Sequence, residues 1–186
     1  MVIFIHGFGS SGLAGKATAF RAYFKEKNIP YIAPSLSFIP KLAISTLEEL
    51  IDSYDDVHLI GSSLGGYYAL YLSQKYDLKT VLINPSLHPD KTLNSYTKEP
   101  AMAYYDGSSF SWRPSHVQSL EAYKLSKDQI KSENYFLLLQ KGDDVLDYQE
   151  ALCMLPKVKT ILEEGGSHSF DGIERHFDEI VDFFTS

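Results

Sequence analysis

Short apolar runs, spaced by longer amphipathic stretches, limit what this chain can fold into more than any other feature. Val2–Ile5, Val57–Ile60, Thr80–Asn84, Tyr135–Gln140 and Val158–Glu163 are largely apolar and lack the alternation of a half-buried strand. A strand can be apolar on both faces only where both faces are covered, as in a parallel sheet packed between helices. The stretches in between carry the helical period: Phe20, Tyr23 and Phe24 within Leu13–Lys27, then Leu47, Leu50 and Ile51 within Ala43–Ser53. Leu64–Lys75 is a third helix, and Gly172–Phe184 a last one with Ile173, Phe177, Ile180, Val181 and Phe184 along one stripe. Pro30–Ala33 adds a short second strand that Pro34 stops. The pattern predicts one three-layer α/β domain over residues 1–186, with about six mostly parallel strands and helices on both faces. Residues 85–134 break the rhythm with Pro89, Pro100 and Pro114 and the aromatics Tyr96, Tyr104, Tyr105, Phe110 and Trp112. That segment is too long for a simple crossover and is expected to be an insertion above the C-terminal edge of the sheet, a lid or pocket wall.

Charge and cysteine usage narrow the function. The 186 residues carry 17 Lys and Arg against 24 Asp and Glu, a net charge of −7. That balance opposes nonspecific binding to nucleic acid or to an anionic membrane surface. The single cysteine, Cys153, excludes an intrachain disulfide or a cysteine metal cluster and suits a reducing, cytoplasmic location. The N-terminus lacks a basic region, and no apolar stretch approaches the ~20 residues that span a bilayer, so neither a leader nor an anchor is expected.

Gly61-Ser62-Ser63-Leu64-Gly65 matches G-x-S-x-G. A chain of this length produces such a match by chance on the order of once in twenty. Its position between a predicted strand and a predicted helix is more telling, because that is the setting of a nucleophile elbow. The sharp turn projects Ser63 Oγ out of the sheet at a helix N-terminus, where the dipole favours developing negative charge. A serine hydroxyl is a weak nucleophile and needs a base, and the base needs an orienting acid. In such an enzyme these follow in the order Ser, acid, His. Of six histidines, only His168 falls in a loop after the last strand, within Glu164-Gly165-Gly166-Ser167-His168-Ser169-Phe170. The acid belongs after the fifth strand, where Gly142 precedes Asp143 and Asp144, with Asp147 placed to cap the next helix. Asp143 is favoured and Asp144 is the alternative. The two oxyanion donors are expected to be the backbone N–H groups of Leu64 and of Phe8, the latter on the loop after the first strand. In a doubly wound sheet the first and third strands adjoin at the switch point, so both loops face one crevice. His6 is expected to tether its own loop. Of Tyr67 and Tyr68 on the nucleophile helix, one is expected to pack.

Gly7-Phe8-Gly9-Ser10-Ser11-Gly12 also matches the dinucleotide-binding G-x-G-x-x-G. A dinucleotide-dependent oxidoreductase would need an acid after the second strand to hold the ribose, or a basic residue for a 2′-phosphate. Tyr31-Ile32-Ala33-Pro34-Ser35-Leu36 offers neither. A Walker A loop is missed twice: Gly9 and Gly15 are one residue too far apart, and Ala17 follows Lys16 in place of Ser or Thr.

Five segments in order resemble one family: His6-Gly7-Phe8 with Ser10-Ser11; Gly61-Ser62-Ser63-Leu64-Gly65-Gly66-Tyr67-Tyr68-Ala69; Leu82-Ile83-Asn84-Pro85; Gly142-Asp143 with Val145-Leu146-Asp147-Tyr148; and Glu164 through Phe170. Together they look like the YqiA-type esterases, small bacterial α/β hydrolases. The resemblance implies a reduced α/β-hydrolase fold beginning at the strand that bears the oxyanion loop. It also implies a Ser63, Asp143, His168 triad and cleavage of carboxylic esters or thioesters without a metal or organic cofactor. The chain departs from the family's usual run in the insertion and around Pro85–Tyr96, at Ser86 and at Lys98-Glu99. The expected partner is a small-molecule acyl ester or thioester, with Tyr67, Tyr105, Phe110 and Trp112 lining an apolar pocket for it. A noncatalytic ligand-binding protein on the same fold is the alternative from another class.

Overall fold

The computed structural model describes residues 1–124 and 127–186; Leu125 and Ser126, within the predicted insertion, lie outside the described residues. In chain order, β1 (Val2–Ile5) leads to α1 (Gly15–Glu26), β2 (Tyr31–Ile32), α2 (Pro40–Asp52), β3 (His58–Ser62), α3 (Leu64–Tyr76) and β4 (Thr80–Ile83). The segment that follows holds α4 (Pro89–Thr92), β5 (Ala101–Met102), β6 (Ser109–Phe110) and α5 (Pro114–Leu120). The chain then returns through β7 (Tyr135–Gln140), α6 (Tyr148–Met154), β8 (Lys159–Glu163) and α7 (Phe177–Thr185).

Six strands form one sheet in the order β2-β1-β3-β4-β7-β8, and every pairing in it is parallel. Side chains of successive strand residues point to opposite faces, and here both faces are buried. Ile3, Ile5, Leu59, Leu82, Leu137 and Leu139 pack with Ala43, Ile44 and Leu47 of α2 and Leu70 and Leu72 of α3. Phe4, Ile60, Val81, Ile83, Phe136 and Leu138 pack on the other side with Phe20 and Phe24 of α1 and Phe177, Ile180 and Phe184 of α7. The Phe20 and Phe177 rings, 4.5 Å between centroids, tie the two helices of that layer together. This two-sided burial is the physical origin of the unalternating apolar runs.

Boundaries differ from the predicted ones where a local turn intervenes. The second helix starts at Pro40, ahead of the predicted Ala43, because proline presets a helical φ and its missing N–H would be unpaired at that position anyway. The predicted last helix is two pieces: Gly172 at φ 71 opens a 3₁₀ turn, Ile173–His176, and α7 follows. The β5–β6 hairpin pairs antiparallel, apart from the main sheet. It is fastened over the loop after β1, where the Tyr104 N–H donates to the Gly9 carbonyl at 2.7 Å. Beneath it the Phe8 ring meets Trp112 edge-on at 4.9 Å and Phe110 at 5.3 Å between centroids. Among the described residues, no helix is long and apolar enough to cross a membrane.

Candidate active site

β3 turns into α3 through Ser63, whose backbone sits at φ 55, ψ −122. A non-glycine residue in this region is strained and persists only when its surroundings hold it. Here the Ser63 N–H donates to the Ile83 carbonyl at 3.1 Å, and the Ser63 carbonyl accepts from the Gly66 N–H at 2.9 Å and the Ser86 N–H at 3.0 Å. The flanking glycines are required by contact: a Cβ on Gly61 would lie 2.5 Å from the Gly65 carbonyl oxygen, and one on Gly65 would collide with the Ile5 carbonyl of β1. The sequence spacing therefore encodes how closely α3 can approach β1 and β3.

His168 reaches Ser63 from the loop after β8. Its Nε2 lies 2.9 Å from Ser63 Oγ, and its Nδ1 lies 2.8 Å from Asp143 Oδ2 on the loop after β7. A carboxylate can only accept at Nδ1, which assigns the proton to that nitrogen and leaves Nε2 free to accept from the serine hydroxyl. The Asp143 side chain is 2 % exposed. Its other oxygen, Oδ1, accepts from the N–H groups of Val145 at 2.9 Å and Leu146 at 2.8 Å. Burial alone would raise the Asp143 pKa, but the bonds from His168, Leu146 and Val145 outweigh it and hold the carboxyl below its ordinary value. Asp144 is exposed. Asp147 caps α6, accepting from the Gln149 N–H at 2.9 Å.

Two buried amides hold the His168 loop. The Gln140 Oε1 accepts from the N–H groups of Ser167 at 3.0 Å and Asp171 at 2.8 Å, while its Nε2 donates to Glu163 and to the Asp171 carbonyl. Asn84 Nδ2 donates to the carbonyls of Ser167 and His168, and its Oδ1 accepts from the Gln140 N–H. Glu163 stands behind this network. Partial burial would raise it, but hydrogen bonds from Gln140, Arg175 and His176 bring its pKa down to about 2. Asn84 falls in one of the five family-like segments, but no local pattern gives it or Gln140 this role, because their partners lie far along the chain.

The loop after β1 passes directly beside the serine: a Cβ on Gly7 would sit 3.1 Å from Ser63 Cβ and 3.6 Å from its Oγ. Neither the Phe8 nor the Leu64 N–H donates to a protein acceptor among the described residues. His6 holds this loop by donating from Nδ1 to the Gly7 carbonyl at 2.8 Å and accepting the Leu36 N–H at Nε2, 2.9 Å. Burial lowers the His6 pKa, against the Gly7 bond, so the ring is neutral at pH 7.

A cleft of about 900 Å³ opens over Ser63 and His168, lined also by Lys16, Ser86 and Tyr105. A recess of about 240 Å³ adjoins it, lined by Phe38, Tyr68, Tyr105 and Phe110, and the two share Phe8 and Leu64. Of the four predicted pocket residues, Tyr105 lines both cavities and Phe110 the recess. Tyr67 and Trp112 line neither. Tyr67 is buried and donates to the Leu120 carbonyl at 2.8 Å, and Trp112 is buried behind Phe8 and donates to the Leu93 carbonyl at 3.1 Å. The paired tyrosines thus divide, Tyr67 into packing and Tyr68 into the recess wall. Lys16, Phe38 and Ser86 were not singled out as pocket residues by sequence reasoning.

The parallel sheet, its two helical layers and the strained serine turn between β3 and α3 define an α/β-hydrolase fold. Solved structures agree in fold. The chain superposes on Est1E from Butyrivibrio proteoclasticus with bound ferulic acid at a TM-score of 0.77, with 13% identity, covering 99% of this chain and 87% of that one. It superposes on mouse alpha/beta hydrolase domain-containing protein 10 at 0.72, with 18% identity over 97% of this chain and 89% of the other. The model of the uncharacterised protein family UPF0227 matches residues 1–185, and the chain belongs to that family. Relatives include a UPF0227 protein of Vibrio parahaemolyticus, 25% identical over 191 residues and 98% of both chains. Another is the UPF0227 protein YcfP of Salmonella arizonae, 24% identical over 100% of this chain and 99% of its own.

Proposed function

We propose that this protein is a serine hydrolase that cleaves carboxylic ester or thioester bonds through an acyl-enzyme on Ser63. The observation that carries the reading is the unbroken hydrogen-bonded path from Ser63 Oγ through the His168 ring to buried Asp143. Ser63 Oγ attacks the acyl carbonyl as His168 Nε2 takes its proton, and Asp143 stabilises the imidazolium by accepting from Nδ1. The carbonyl oxygen becomes an oxyanion, which the free N–H groups of Phe8 and Leu64 receive. The intermediate collapses, His168 returns its proton to the leaving alcohol or thiol, and water activated by the same imidazole releases the acid. The recess beside the two amides suits an apolar acyl chain or an aryl group, and Ala103, Tyr105 and Phe110 of the segment between β4 and β7 line it.

The test is pre-steady-state hydrolysis of p-nitrophenyl acetate. A burst of nitrophenol equal to the enzyme, with an acetyl group on the Ser63 peptide after acid quench, is expected. Absence of turnover across aryl esters and acyl thioesters, with the fold intact, overturns the reading in favour of a noncatalytic binding protein.

The loop network gives a second expected result. Gln140→Ala leaves the part-buried Ser167 and Asp171 N–H groups without their acceptor, a cost of at most about 1–3 kcal/mol each. His168 then loses its register, and kcat is expected to fall about 10–100-fold with KM little changed, as for misplaced groups generally. Unchanged kcat in a destabilised variant would remove Gln140 from the positioning of His168.

A further inference from the structure

We propose, resting on that reading, that the cleft selects an ester or thioester bearing an anionic group, and that Lys16 is the residue that holds the anion. Among the described lining residues of the cleft Lys16 is the one lysine or arginine, and no Asp or Glu is among them. This stands against the charge of the whole chain, −7. The nearest carboxylates are engaged elsewhere. Asp143 is bonded to His168 and to two amides, and Asp171 Oδ1 accepts from the Ser167 hydroxyl at 2.8 Å. Among the described residues, no carboxylate is within ion-pair distance of Lys16.

Lys16 Nζ donates one hydrogen to the Ser169 carbonyl at 2.6 Å, which anchors the cation one residue beyond His168 and leaves two N–H donors for a ligand. The start of α1 adds to the field. Ala14, Gly15 and Lys16 all line the cleft, the helix has no side-chain cap, and no acidic residue occupies its first turn. A second feature of the same cleft also points to a ligand: Ser86 Oγ, in a residue 4 % exposed, has no hydrogen-bond partner among the described residues. A buried hydroxyl left unpaired is costly, and a polar substrate atom would satisfy it. Burial lowers the Lys16 pKa to about 8, against the pull of Asp143 and Asp171. With Asp143 and Asp171 as the charged groups that face it, selection for an anion is strongest below that pH and fades above it.

The experiment compares p-nitrophenyl hemiglutarate, which carries a free carboxylate, with neutral p-nitrophenyl butyrate. The wild type is expected to prefer the hemiester by about tenfold or more in kcat/KM, the scale of a hydrogen bond to a charged group. Lys16→Met is expected to lower kcat/KM for the hemiester at least about fivefold more than for butyrate, and Lys16→Glu to reverse the preference. An acetylated phosphopantetheine thioester serves as the second arm, and a preference confined to it places the anion on the leaving-group side. No preference in either arm overturns the proposal, as does an equal loss on charged and neutral substrates in Lys16→Met, which would make the lysine a tether of the His168 loop. Calorimetry on Ser63→Ala separates the two readings. Binding of intact hemiester that is lost in Ser63→Ala/Lys16→Met upholds the anion site even in a protein without turnover. Hydrolysis of butyrate with no charge discrimination upholds the hydrolase and sinks the anion site.

Discussion

Ser63→Ala is expected to lower kcat/KM for an aryl ester by about 10⁴-fold or more, the loss seen when a nucleophile is removed from a coupled triad. The fold should survive. The Cβ stays in place, the backbone bonds of Ser63 to Ile83, Gly66 and Ser86 do not involve its side chain, and only the Oγ–His168 bond is lost. His168→Ala should lose nearly as much, and the double variant little more than either single one, because nucleophile and base act as one unit. Steady-state kinetics on purified variants, with circular dichroism to confirm folding, checks this. Additive losses would mean that the serine and the imidazole contribute separately, and the hydrogen-bonded path would then not be the working unit.

The second large effect falls on stability. A Cβ on Gly65 would occupy the position of the Ile5 carbonyl, so Gly65→Ala forces α3 away from β1 at the centre of the sheet. Both neighbours are backbone in a close-packed interior and cannot rotate aside. A destabilisation above about 4 kcal/mol is expected, at the extreme of single substitutions. Gly15→Ala is the control. A Cβ there meets nothing within 4 Å, but the residue sits at φ 46, so only the backbone strain remains, about 1–2 kcal/mol. Chemical denaturation of both variants gives the comparison, and a Gly65→Ala loss no larger than that of Gly15→Ala would contradict the packing argument.

The layers were legible because both faces of each central strand are buried, which writes continuous apolar runs into the sequence. Ser63, Asp143 and His168 were legible because a parallel sheet delivers the loops after β3, β7 and β8 to one edge, and each loop carries its own local mark. The walls of the cleft were not. Phe38 reaches the recess from the loop before α2, where nothing in its neighbours signals a pocket. Lys16 reads as a failed Walker lysine, and its relation to Ser169 spans most of the chain. The two-residue strands of the β5–β6 hairpin are too short to carry a period. Trp112 and Tyr67 have the size and chemistry of pocket residues, and their actual roles follow from carbonyls that tertiary structure brings to their polar atoms. Asn84 and Gln140 join three loops through side-chain amides, a property of the assembled sheet edge that no local pattern encodes.

On the proposed mechanism Ser63 is an activated nucleophile. A fluorophosphonate probe reports that directly, because it phosphonylates a serine only when a base and oxyanion donors assist the attack. Intact-mass measurement of the wild type is expected to show a single adduct, located on the Ser63 peptide, and none on Ser63→Ala. An unlabelled wild type, or an adduct that persists in Ser63→Ala, would contradict the account.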